Sequence, residues 1–354
     1  MGKGRAAVRL SVAIGYWGMG NDAARQLAVA REAERLGYDA VWTAEAYGSD
    51  AATVLGWLAA QTTTIGLGAA VFQVPARSAA MTAMTAATLD RLSGGRFRLG
   101  LGVSGPQVAE GWHGQRYDRP LARTRDYVAV VRLALARERV AYKGDTLELP
   151  LPESRGKALK LTISSVQRPL PVYLAAIGPR NMALAGEIAD GWIGFVFSPE
   201  HGADEARAAL AEGAARAGRD LDGFDRVAVV QTRIDDDLDA AREAMRPMIA
   251  LYVGGMGSRE RNFYNDLVRR YGFEEAAAAV QERYLAGWPG EAAAALPVEL
   301  IDALSLCGPA GRVRDRLAAF REAGVTTLMT IPVARTTEDA IGQLRLLAEL
   351  AASA

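Results

Sequence analysis

The strongest constraint in this chain is an alternation that runs through its whole length. Short β-rich runs lie at Val8 to Ile14, Ala40 to Ala44, Thr64 to Val71, Arg96 to Val103, Pro171 to Ala176, Gly191 to Phe197, Arg226 to Ile234 and Val325 to Ile331, each followed by an amphipathic stretch. The runs are apolar and β-branched nearly end to end, the composition of strands covered on both faces. The first helical stretch shows the punctuation: Asn21-Asp22 opens a run through Leu27, Ala30 and Ala33 that stops at Leu36-Gly37, with a polar cap in front and a glycine behind. Strand and helix in strict alternation demand a parallel sheet, because each helix must carry the chain back to the end where it started. Eight units close such a sheet without leaving an edge, so the expected fold class is α/β, a (β/α)8 TIM barrel. An open doubly wound sheet is the competing architecture. The turn after the first strand, Gly15-Tyr16-Trp17-Gly18-Met19-Gly20, lacks the G-x-G-x-x-G/A spacing of that fold.

Two connections exceed the roughly 2 to 6 residues usual between strands and helices. The segment 138–168 contains Tyr142-Lys143-Gly144-Asp145, which reads as a hairpin turn. The segment 254–297 has a helical pattern from Tyr271 to Leu285 and then Trp288-Pro289-Gly290, and is expected to cover the barrel mouth as a lid. The simplest division is one barrel domain over 1–354, with these insertions after the fourth and seventh βα units.

Composition removes several classes of function. Basic and acidic residues balance at 41 each, so no polyanionic partner is expected and nucleic acid is excluded as a ligand. No segment reaches the ~18 uninterrupted apolar residues of a membrane span, and no apolar stretch follows the basic start at Met1 to Ala7. A soluble, cytoplasmic protein without a membrane partner is expected. The single cysteine, Cys307, allows no internal disulfide, and with only His113 and His201 as imidazoles no metal centre is expected.

In a (β/α) barrel the chemistry stands at the C-terminal strand ends. After the first strand, Tyr16 and Trp17 are placed to stack on a planar ring or to cap the barrel hydrophobically. After the second comes Glu45, a carboxylate at the end of an apolar strand. Burial there either raises its pKa toward acid/base work or is offset by a salt bridge to an arginine of a neighbouring loop. Asp39, before the same strand, belongs to the opposite barrel end and is expected to be structural. The third strand ends in Ala70 and Val71, small residues that admit a ligand edge-on or simply pack closely, with Gln73 just beyond. After the fourth, Ser104, Gly105 and Gln107 bring a hydroxyl, a glycine and an amide to the mouth, and His113 follows as a candidate acid or base. The clearest anion site is Ala176-Ile177-Gly178-Pro179, a strand ending in glycine with proline in the first helical turn, where free amides favour a phosphate. Gly194 and Phe195, at the end of the next strand, would form its far side.

These segments, in this order, resemble the luciferase-like flavin and deazaflavin oxidoreductases over nearly the whole chain. The most specific stretch is Leu89-Asp90-Arg91-Leu92-Ser93-Gly94-Gly95-Arg96-Phe97 running into Leu99-Gly100-Leu101-Gly102. Gly111-Trp112-His113-Gly114 ahead of Arg123-Thr124-Arg125-Asp126-Tyr127, and Gly178-Pro179 with Ala185 to Gly191, add to it. Within the group the chain is most similar to the branch dependent on coenzyme F420, a 5-deazaflavin. The resemblance implies a tricyclic ring in the barrel mouth, its phosphate at Gly178 and Gly194, and a non-prolyl cis peptide in the third strand, by position Ala70-Val71. It implies a homodimer as well.

Deazaflavin-dependent sugar-phosphate dehydrogenases of the group carry an acidic residue then histidine after the second strand, and a glutamate after the fourth. Here Ala46 follows Glu45, and Pro106 stands at the second place. The expected activity is therefore hydride transfer between F420 and a small organic substrate, as reduction of an activated C=C or C=N bond. Glu45 or His113 would move the proton, while Gln73, Ser104 and Gln107 would hydrogen-bond ring or substrate. A reduced-FMN monooxygenase on the same barrel is the alternative.

Overall fold

The computed structural model describes residues 7–15 and 22–353. Eight parallel strands form a closed ring: β1 (Arg9–Ala13), β2 (Ala40–Thr43), β3 (Gly66–Ala69), β4 (Phe97–Gly102), β5 (Val172–Ala175), β6 (Gly191–Phe195), β7 (Asp225–Ile234) and, after an extra strand β8 (Ser305–Gly308), β9 (Thr327–Pro332). Closure is made by β1 beside β9, with Arg9 opposite Thr327, and by β7 between β6 and β9. All eight β-rich runs become the barrel strands. The extra strand β8 pairs only with the far end of β7, from Gln231 opposite Ser305 to Ile234 opposite Gly308. Its four residues, Ser-Leu-Cys-Gly, carry too little alternation or β-branching to announce a strand.

The outer layer includes α1 (Ala23–Arg35), α2 (Ala51–Gln61), α3 (Ala79–Leu92), α4 (Pro120–Leu135), α5 (Pro179–Ile188), α6 (Pro199–Arg216), α7 (Leu238–Ala250), α8 (Phe263–Arg270), α9 (Glu274–Leu285), α10 (Ala310–Glu322) and α11 (Thr337–Ala352). Many begin on a side-chain cap that satisfies an otherwise orphaned amide. Asp22 accepts from Arg25 N at 2.6 Å, Asp50 from Thr53 N at 2.7 Å and Ser78 from Met81 N at 3.1 Å.

The barrel interior is built in layers. At the N-terminal end, Arg9 pairs with Asp225 at 2.8 Å and Arg98 grips both oxygens of Asp39, while Thr327 and Tyr173 donate to Asp225 at 2.8 and 3.1 Å. Two cations face two anions, and the buried Asp225 carboxylate is paired and hydrogen-bonded, the condition under which burial is tolerated. Asp39 is thus structural, as expected. Burial would raise its carboxyl, and the Arg98 guanidinium outweighs that and holds it below the usual range. Above lies an apolar layer of Trp42, Tyr173, Ile193, Val227 and Met329, with Trp42 and Tyr173 edge to face at 5.4 Å. Gly68 is required here, since a Cβ at that position would collide with the Trp42 ring. Toward the C-terminal end stand small or short side chains, Ala13, Ala70, Val71, Ala175 and Val229, and they are half-buried rather than sealed.

The stretch most typical of the resembling group lies at the opposite end from that mouth. Asp90 is fully buried and accepts from Val166 N, Gln167 N and Gln167 Nε2 at 2.6, 2.9 and 2.6 Å, so it anchors the end of the first insertion. Arg96 binds the carbonyls of Ile65 and Thr62 at 2.6 and 3.0 Å, and Phe97 is core. Asp126 similarly docks the hairpin of the first insertion, in which Tyr142-Lys143 pairs with Glu148-Leu149: it accepts from Tyr142 Oη at 2.9 Å and Thr146 N at 2.6 Å. In the second insertion the helical pattern breaks at Gly272, whose φ of 88° ends α8 and redirects the chain into α9.

Candidate active site

The C-terminal barrel end gathers most of the residues the sequence singled out. Strand β3 continues through Ala70-Val71, whose peptide bond is cis as the resemblance implied, into the short strand Phe72-Gln73 beside β4. Gln73 is thereby buried at the mouth, and its side chain links two loops. Its Nε2 donates to Ser104 Oγ at 3.0 Å, and its Oε1 lies 3.1 Å from His113 Nε2. Ser104 holds a left-handed backbone (φ 60°) at the turn out of β4. His113 is half-buried, on the turn that follows the short helix Pro106–Ala109. A hydrogen-bonded chain Ser104–Gln73–His113 thus runs along one rim.

Glu45 sits behind this chain. Arg77 grips both carboxylate oxygens, Nη2 reaching Oε2 at 3.0 Å, while the backbone amides of Gln73 and Ala51 donate at 3.0 and 3.1 Å. The Glu45 side chain is 7% exposed and that of Arg77 13%. Every strong acceptor direction of the carboxylate is in use, so the geometry is that of the salt bridge rather than of a poised acid. Arg77 in turn pairs with Asp50, lies 4.5 Å over the Phe72 ring, and has its carbonyl bound by Tyr127 Oη at 3.1 Å. Burial alone would lower the Arg77 pKa, and the facing carboxylates of Glu45 and Asp50 raise it above its ordinary value. Sequence reasoning placed no role on Arg77, which lies beyond the strand in a stretch without a motif.

At the start of α5, Gly178 occupies the cap position with ordinary extended dihedrals, and no side chain caps the helix. Because Pro179 has no amide hydrogen, the first free donors are those of Arg180 and Asn181, and a Cβ built on Gly178 meets nothing within 4 Å. Arg270, the last residue of α8, brings a guanidinium to the same turn, donating to the Ile177 carbonyl at 2.8 Å. Glu205 pairs with Arg270 at 3.3 Å and offsets its charge, so it is the open amides and the helix dipole that suit a phosphate. Arg270 was not foreseen, because only the tertiary fold of the insertion brings α8 to this strand end.

The remaining candidates divide. Ala176 is buried, its carbonyl accepting from Trp192 Nε1 at 2.8 Å. Gly194 lies under the Trp192 ring, where a Cβ would collide, so packing already accounts for its lack of a side chain. Phe195 packs against the turn that leads into the second insertion, its ring centroid 4.4 Å from that of Tyr252. Gly105 and Gln107 stand at the short helix after β4, Gln107 exposed. Tyr16 and Trp17 lie outside the described residues.

Comparison with known proteins gives the family. The family model described as luciferase-like monooxygenase matches residues 6–327. A Mycobacterium tuberculosis protein named as a coenzyme F420-dependent oxidoreductase is 43% identical over 331 residues, covering 92% of this chain and 95% of that protein. The 5,10-methylenetetrahydromethanopterin reductase of Archaeoglobus fulgidus is 31% identical, covering 84% of this chain and 86% of the relative. Among solved structures, the coenzyme F420-dependent tetrahydromethanopterin reductase of Methanopyrus kandleri superposes with a TM-score of 0.81 at 27% identity, covering 97% and 98% of the two chains. A family model that spans most of the sequence, and a relative of this identity along nearly all of it, establish that the chain belongs to the luciferase-like monooxygenase family.

Proposed function

We propose that this chain is a coenzyme F420-dependent oxidoreductase that reduces an activated C=N or C=C bond of a small organic acceptor. The observation that carries this reading is the pairing, at one barrel end, of a floor of small apolar side chains with a rim of hydrogen-bonding ones. Ala13, Ala70, Val71 and Ala175 leave room for a flat ring and keep water from beneath it, and the Ser104–Gln73–His113 chain offers polar contacts at its edge. The names of the two relatives, an F420-dependent oxidoreductase and a methylene-pterin reductase, support the same coenzyme and a reduction.

The bound deazaflavin supplies a hydride, and the chain supplies orientation, dryness and the proton. The open amides after Gly178, with Arg270 beside them, would hold the coenzyme's phosphate. Glu45 accepts the Gln73 amide and so fixes the residue at the centre of the rim. His113 stands at the outer end of the chain, half-exposed, where its imidazole can exchange with solvent and pass a proton to the acceptor's nitrogen or carbon. Two copies associate, in this reading, through α3, where Met81, Met84 and Leu92 lie on one exposed face. Sedimentation at micromolar concentration would show a dimer, and a monomer would remove that element.

An absorbance and fluorescence titration with F420 and with FMN tests the coenzyme. Micromolar binding of F420 supports the reading, and failure to bind it removes the reading. Binding of FMN alone, with oxygen uptake once the flavin is reduced, would transfer the protein to the monooxygenases.

A further inference from the structure

The mouth is asymmetric. Two strands round the ring from β4 stands Phe195, on the same face of β6 as Ile193, whose side chain lies in the barrel interior. Its ring meets two tyrosines edge to face, Tyr252 just ahead of the second insertion at 4.4 Å and Tyr264 within it at 5.8 Å, and those two meet each other at 4.9 Å. Tyr252 comes from the π-helical turn Leu251–Gly255 that continues α7, and Tyr264 from the first turn of α8. Farther out, Phe263 lies 6.3 Å from Tyr117 of the loop after β4, so the loop and the insertion touch.

These aromatics are held more firmly than a hinge requires. Gly254 and Gly255 are pressed against Tyr284 so closely that a Cβ at either would strike it. Two buried amides pin the turn: Asn262 donates to the carbonyl of Val253 at 3.0 Å, and Asn265 to those of Val253 and Ala277 at 3.0 and 2.7 Å. Yet the rings themselves are not sealed. Val253, Val268 and Val280 of the same cluster are completely buried, whereas Phe195, Tyr252, Tyr264 and Tyr117 are half-buried and Phe263 is 39% exposed. Preorganised aromatic surface left partly uncovered beside a reaction site is the arrangement that recognises a flat conjugated group.

We infer that Phe195, Tyr252 and Tyr264, closed at the outer end by Tyr117 and Phe263, form a substrate wall that selects acceptors whose C=N or C=C bond is conjugated to an aromatic ring over aliphatic acceptors. The inference rests on the reductase reading above and narrows its substrate class. With a cyclic imine the C=N π bond breaks, a C–H bond forms with the hydride given up by reduced F420, and nitrogen takes a proton. One amine and one oxidised coenzyme result.

The test uses two cyclic imines, 3,4-dihydroisoquinoline and 1-pyrroline, with the full chain and F420. Turnover is followed by oxidation of the reduced coenzyme, and binding by calorimetry to the protein holding the oxidised form. The wild type is expected to favour the aryl imine by roughly tenfold or more in both Kd and kcat/KM. The variant Tyr252→Leu/Tyr264→Leu should lose that preference with F420 affinity unchanged, and Tyr252→Phe/Tyr264→Phe should keep it, which separates recognition from folding. Two imines bound within twofold by the wild type, or neither bound although F420 binds, would overturn the wall while leaving the coenzyme assignment standing. Failure of F420 itself to bind would overturn both.

Discussion

Arg77 encloses the carboxylate of Glu45 from one side while the amides of Gln73 and Ala51 close it from the other. The pair is buried, and its energetic role differs from that of a surface salt bridge. Removing one partner leaves a charge that water cannot reach, which costs about 3 to 5 kcal/mol. Arg77→Leu is therefore expected to lower the unfolding free energy by about 3 kcal/mol in urea titration. Glu45→Gln should cost about 1 to 2 kcal/mol, because Arg77 keeps Asp50 as a partner.

In the proposed reduction the proton falls to His113, because the Glu45 carboxylate is fully engaged. We expect His113→Ala to lower kcat about a hundredfold with F420 affinity unchanged, the scale of a lost general acid. Glu45→Gln should retain turnover within about tenfold once corrected for folded fraction. Steady-state kinetics beside coenzyme titration decide the matter, and a larger loss from Glu45→Gln than from His113→Ala would reverse the roles.

Gly178 offers a prediction in which stability and binding move in opposite directions. Its dihedrals suit any residue, and a side chain there meets open space. Gly178→Asp would cap α5 with a carboxylate, raising stability by about 0.5 kcal/mol. The same carboxylate would occupy the free amides and repel a phosphate, so F420 affinity should fall by at least about tenfold, the scale of one charge-assisted contact. Thermal melting and the F420 titration read the two effects separately.

Acid sensitivity should arise in part from Glu34. Burial would raise its carboxyl, yet the amides of Thr64, Ile65 and Thr63 donate to it and hold its pKa at about 2, below the ordinary 4.5. A carboxyl depressed in the folded state contributes stability that is complete above the unfolded value and is lost as pH falls from about 4.5 through about 2. Glu34→Gln should thus destabilise by about 1.5 kcal/mol at pH 7 and by little near pH 2. Urea midpoints at the two pH values measure the difference.

The residues most legible in the sequence are those whose task is local. Period, caps and strand composition marked every barrel strand, and Gly178-Pro179 marked the start of α5, because backbone geometry and amide satisfaction depend on a few neighbours along the chain. Asp90 and Asp126 were visible within motifs, although their work is to anchor the first insertion. What tertiary structure alone decided is pairing across distance. Glu45 read as an acid or as half of a salt bridge until the fold brought Arg77 to it, 32 residues away in the chain. Arg270 reached Ile177 from 93 residues away, and Tyr252 and Tyr264 reached Phe195 from a turn ahead of the second insertion and from the insertion itself, where the sequence carried no aromatic motif. A carboxylate's role depends on which charges and amides share its low-dielectric surroundings, and those are set by closure of the barrel and not by its neighbours in sequence.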